Sequence, residues 1–133
     1  MQKINNQPVL LKDDYELLIS YLTGSYGNIV FDRQNVKKLQ EELKKARLVN
    51  KDQFPFDTVR LNSTIKIKTE GEGEVMELML VTPDKANIKE KKISVMAPIG
   101  TALIGFRKGQ KIKWQVPAGK KTFTIIDVTN DFE

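Results

Sequence analysis

The chain has 133 residues, 22 basic and 17 acidic, with a net charge of +5 and 40% hydrophobic content, the profile of one soluble domain or a small domain with an appendage. It contains no cysteine and no histidine, which excludes disulfides, thiolate chemistry, Ser-His-Asp and Cys-His triads and imidazole metal sites. MQKINNQPVLLKDD lacks the apolar core of a signal peptide and no stretch approaches the ~20 apolar residues of a membrane span, so a cytoplasmic protein is expected.

The first region has a helical period. Leu11, Tyr15, Leu18 and Leu22 recur at helical spacing, with Asp13 or Asp14 suited to an N-cap and Gly24 and Gly27 favouring a break. A second helix is predicted from about Arg33 to Leu48, capped by Asp32, with Val36, Leu39, Leu43 and Ala46 forming a narrow coiled-coil-like stripe. Glu41 stands four residues before Lys45, the favoured order for a helix-face ion pair. Joined by TGSYGNIVFD, the two helices suggest an antiparallel hairpin over 1–53.

At Phe54-Pro55-Phe56 the period changes to two. VRLNSTIKIK reads as a half-buried strand, with Val59, Leu61, Ile65 and Ile67 on one face. EGEGE makes a polar turn into EVMELMLV, where Met76, Leu78 and Leu80 share a face. KKISV, KIKWQV and TFTIIDV add three strands, the last two joined by PAGK. Five mostly antiparallel strands with one helical insertion give an α+β domain over 54–133.

The insertion lies in ISVMAPIGTALIGFRKGQKIKW, Ile93 to Trp114. It is too short for a membrane span, has no histidine to activate Ser94, and its glycines match neither GxxxxGK[ST] nor GxGxxG. A structural reading fits each residue. Val95 ends a strand and Pro98 opens a short helix, where no N–H is lost. Ile99, Leu103 and Ile104 form its apolar side and Gly105 supplies a left-handed stop. Lys108-Gly109-Gln110 then turns into a strand with Ile112, Trp114 and Val116 inward. A helix so short and apolar must pack on the sheet.

These residues carry a resemblance. ISVMAPIGTALIGFRKGQKIKWQVPAGKKTFTIIDV resembles the carboxy-terminal domain of the GreA/GreB/Rnk family, whose pattern runs I-S-V-x-[SA]-P-[IV]-[AG]-x-A-L-[IL]-G, a glycine turn, a strand, P-x-G and a final strand. SVMAP and the tryptophan before P-x-G bring it nearest the Rnk branch (regulator of nucleoside diphosphate kinase). FPFDTVRLNSTIKIK is similar to the segment leading into that domain, and the likeness runs roughly from Leu39 to Val128. It implies an FKBP-like sheet wrapped on one short helix, preceded by a helical hairpin. It also implies a monomer that binds bacterial RNA polymerase at the rim of its secondary channel, with weak nucleic-acid (DNA or RNA) contact inside the transcription complex.

In GreA and GreB, acidic residues at the hairpin tip help hold a second magnesium ion in the polymerase site and stimulate cleavage of backtracked RNA, chemistry that suits carboxylates. The tip residues matching that position here are Tyr26, Asn28 and Asp32, with Asp32 the one acid of TGSYGNIVFD. A helix of ~16 residues reaches only ~24 Å. The resemblance therefore implies a polymerase-binding regulator that does not stimulate cleavage, is not an enzyme, and carries no cofactor or metal. An active cleavage factor relying on Asp32 is the alternative. Docking carries over to Met96, Ala97, Pro98 and Ile99; Met96 stands where GreB-like members carry an acid, and is either an exposed, adaptable apolar contact or part of the core. Arg107, Lys108, Lys111, Lys113, Lys120 and Lys121 follow one another with no acid between them. They form a positive face that is a solvated surface, a polymerase contact, or the binding face of an RNA module.

Overall fold

The computed structural model describes residues 7–23, 33–71, 73–116 and 119–130. The chain enters through a three-residue strand, β1 (Val9–Leu11), which runs without a loop into α1 (Lys12–Leu22). Leu11 is the N-cap residue, so the cap expected at Asp13 or Asp14 is corrected. Both aspartates fall in the first turn, where negative charge suits the positive end of the helix dipole. The cap expected at Asp32 lies outside the described residues.

α2 (Arg33–Lys45) ends three residues earlier than its apolar pattern suggests. After Ala46 the chain forms β2 (Arg47–Val49), which pairs in parallel with β1, Leu10 opposite Leu48. Arg47 N donates to Pro8 O at 2.8 Å, so hydrogen bonds to a strand whose paired residues lie 38 places away replace those of another helical turn. On α2, Lys45 pairs with Glu42 at 3.1 Å, not with the expected Glu41; three residues apart is the other neighbour distance on a helix.

The main sheet has the order β5-β4-β3-β7-β6, built from β3 (Thr64–Thr69), β4 (Val75–Val81), β5 (Lys92–Ser94), β6 (Lys111–Val116) and β7 (Gly119–Thr129). Only β4 with β5 is parallel; β3–β4, β3–β7 and β6–β7 are antiparallel. The five expected strands are all present, but the first is shorter than its pattern. Asn62 adopts φ +73, a left-handed turn that ends any strand running back through Val59. Val59 and Leu61 are buried beside Ile65 and Ile67 all the same. Met76, expected inward with Leu78 and Leu80, is 51% exposed, because β4 opens beyond the end of the core. The short edge strand β5 is covered at Lys92 by Asn87, whose N–H and C=O both bond to it at 2.9 Å, which blunts an open edge.

α3 (Pro98–Leu103) joins β5 to β6 with Pro98 in its first turn. Leu103 and Ile104 are buried, and Gly105 turns left-handed at φ +84. Leu10, Leu18, Leu39 and Leu43 belong to the same apolar cluster as Ile65, Ile67, Leu80, Leu103 and Ile125, so helices and sheet share one core. A second cluster, Leu11, Val49 and Phe54, covers the other face of the β1–β2 pair. The fold is a mixed one, three helices with a five-stranded sheet.

One buried polar atom has no partner among the described residues, the hydroxyl of Thr58. Thr58→Val replaces it with a methyl of the same shape and is expected to raise stability by about 1 kcal/mol. A higher urea midpoint at unchanged slope would show this.

Candidate docking surface

The lip between β5 and α3 is held by short-range bonds. Ser94 Oγ accepts from Met96 N at 2.9 Å, and Ser94 O accepts from Ala97 N at 3.0 Å. Ser94 is thus a turn former, which agrees with its rejection as a nucleophile. Thr101 Oγ1 donates to Val95 O at 2.9 Å, fastening α3 to the chain that precedes it. The approach is so close that a Cβ on Gly100 would lie 2.2 Å from Ser94 O.

The lip exposes Pro98, leaves Ala97 and Ile99 half-buried, and buries Met96 at 5% exposure. Of the two readings of Met96, the structure has the buried one, so its place among the docking residues is corrected. β5 ends at Ser94 and the chain turns at Val95 and Met96, so strand alternation no longer applies and both side chains pack in the main cluster.

The basic stretch is less bare than its sequence suggests. Arg107 donates from Nε and Nη2 to the two carboxylate oxygens of Asp57 at 3.2 and 3.3 Å. Lys108 and Lys111 lie 3.6 Å from Asp127 and Glu70. Lys113 is exposed, and among the described residues it has no ion pair. The fold brings in acids that are distant in sequence, and such exposed pairs lower the local potential more than they stabilise the protein. The tip residues Tyr26, Asn28 and Asp32 and the side chain of Trp114 lie outside the described residues. Among those described, no group of acids is arranged to hold a metal ion, and no helix is long and apolar enough to cross a membrane.

Sequence reasoning missed a set of contacts between α1 and the segments that flank β3 and β4. Asp14 accepts from Arg60 Nε at 3.3 Å, Arg60 Nη2 at 3.2 Å and Leu61 N at 3.2 Å. Burial raises the Asp14 carboxyl above its ordinary value of 3.8, against the pull of Arg60. Two turns further on, Tyr21 Oη donates to Asp84 Oδ1 at 2.5 Å. That bond, with help from Thr82, holds Asp84 below its ordinary value, so its contribution is full above pH 3.8 and is lost as pH falls through the depressed value. The available signal was helical spacing: Asp14 and Tyr21 share the face of Leu18.

The chain matches the family described as Transcription elongation factor, GreA/GreB, C-term over residues 52–130. It is 36% identical over 118 residues to the transcription elongation factor GreA of Amoebophilus asiaticus, covering 89% of this chain and 74% of that protein. It is 39% identical over 84 residues to the regulator of nucleoside diphosphate kinase of Escherichia coli K12, covering 63% of this chain and 62% of that protein. The solved structure of the prokaryotic transcription elongation factor GreA/GreB from Nitrosomonas europaea superposes with a TM-score of 0.76 at 30% identity, over 95% of this chain and 100% of that one. The region matched by the family holds β3 to β7, α3 and the lip at Pro98, and with the relatives it shows that the chain belongs to the GreA/GreB transcription elongation factor family.

Proposed function

We propose that the protein is a transcription regulator that docks on RNA polymerase beside its secondary channel through the lip at Ala97, Pro98 and Ile99, without stimulating transcript cleavage and without being an enzyme itself. What supports docking is the lip: Pro98 stands exposed on a turn locked by Ser94 and Thr101, inside the family-matched region. A rigid apolar projection loses little conformational entropy on association. What supports the absence of cleavage is composition, since TGSYGNIVFD offers one carboxylate, Asp32, for a hard cation that takes several oxygen ligands. The finer fold reading, an FKBP-like sheet behind a short helical hairpin, goes with this function, as do a cytoplasmic location and a monomeric state.

A pull-down with core RNA polymerase tests docking. Pro98→Asp places an acid in the first turn of α3, where it suits the helix, and is expected to weaken binding by about tenfold or more. Equal binding by the variant would rule out the lip. In a stalled, backtracked elongation complex the transcript is expected to keep its length. Shortening that Asp32→Asn abolishes would establish the cleavage factor instead.

A further inference from the structure

We propose that Asp14 and Tyr21 are positioning residues, a two-point latch that fixes the direction in which α1 lies across the end of the β3–β4 pair. Asp14, Leu18 and Tyr21 are the buried residues of α1, at 5%, 0% and 4% exposure. They stand at i, i+4 and i+7, one helix face about 10 Å long. Leu18 contributes apolar contact, which has no preferred direction and would tolerate sliding or rotation. The residues either side of it contribute hydrogen bonds, which fix both register and angle.

The anchors lie at one end of the β3–β4 pair. Leu61 N and the Arg60 guanidinium stand just before β3, and Asp84 lies in the turn Pro83–Lys85 just after β4. That end is drawn together by Asn62 N to Leu80 O at 2.6 Å and Leu80 N to Ser63 O at 3.0 Å. α1 is therefore strapped across the pair rather than merely resting on it. The anchors Arg60, Leu61 and Asp84 belong to the family-matched region, 52–130, and α1 lies outside it. The latch thus connects the proposed docking domain to the helical segment. Its consequence for transcription rests on the docking reading above; the latch itself does not.

The cysteine-free chain suits a distance measurement. Spin labels on Glu16→Cys in α1 and Lys66→Cys in β3, both exposed positions, should give one narrow distance distribution. Tyr21→Phe removes only the hydroxyl and should broaden that distribution about twofold, as should Asp84→Ala. Asp84→Asn keeps an acceptor oxygen for the hydroxyl and should restore the narrow distribution, a rescue that loss of packing alone would not give. In a pull-down with core RNA polymerase, the Tyr21→Phe protein should bind within about twofold of the parent, since Pro98 is untouched. An unchanged distribution in both Tyr21→Phe and Asp84→Ala, or the same broadening in Asp84→Asn as in Asp84→Ala, would overturn the latch. Loss of polymerase binding by Pro98→Asp is a separate result, so the two readings fail independently.

Discussion

Gly105→Ala is expected to lower stability by about 3 kcal/mol, and the melting temperature by roughly 10 °C. Two costs combine there. The residue sits at φ +84, in the left-handed region where a Cβ costs about 1–2 kcal/mol. Its Cβ would also fall 2.5 Å from Pro8 Cβ, 3.2 Å from Pro8 Cα and 3.2 Å from Val9 N, mostly atoms that cannot swing away. The position is a junction: Gly105 O accepts from Val9 N and Gly105 N donates to Val59 O, each at 3.0 Å. A side chain there pushes β1 off the carboxy-terminal domain. Gly109→Ala is the control. Its φ is +93 and nothing lies within 4 Å of the added carbon, so the backbone cost of about 1 kcal/mol stands alone. Thermal unfolding of both variants reads the difference, and equal losses would refute the packing argument.

Asp14→Ala is expected to cost about 2–3 kcal/mol, whereas Asp14→Asn should stay within about 1 kcal/mol of the parent. Alanine leaves the Leu61 N–H and the Arg60 guanidinium without the acceptor they share, and a buried donor left unmade bears its full desolvation penalty. Asparagine keeps an oxygen for Leu61 N and resembles the protonated carboxyl. The sign of the pKa shift supports the tolerance. Because burial outweighs Arg60 and raises Asp14 above 3.8 in the fold, the folded protein holds that proton more tightly than the unfolded chain. Ionisation of Asp14 therefore detracts from stability at neutral pH, and the loss is recovered as pH falls through the raised value toward 3.8. Urea unfolding at neutral pH measures both variants, and a loss in Asn as large as in Ala would show that the charge itself holds α1.

The sequence made the centre of the protein legible because its signals there are local. Pro98 before an apolar turn and Gly105 after it bracket α3, and alternation marks β4 to β7. The β1–β2 pair escaped because a three-residue strand such as Val9–Leu11 is too short to show alternation, and its paired residues are 38 positions away. Val59 to Leu61 misled in the opposite sense. Their alternation continues that of Ile65 and Ile67 and their burial follows it, yet Asn62 turns the backbone out of the strand. At the lip, the run of residues was legible but not which side chain faces water, since Met96 is buried while Pro98 is exposed. The basic stretch hid its neutralisation because Asp57 stands 50 residues before Arg107.

The parallel pairing of Leu11 with Val49 has a consequence for how the molecule can vary. It holds Leu11 and Val49, the residues either side of the excursion 12–48, about 5 Å apart, whatever lies between them. Doubling a closed loop adds only ~0.6 kcal/mol of closure entropy. Residues inserted beyond Thr23 would thus add length to this excursion at little cost while leaving the sheet and the turn at Pro98 undisturbed.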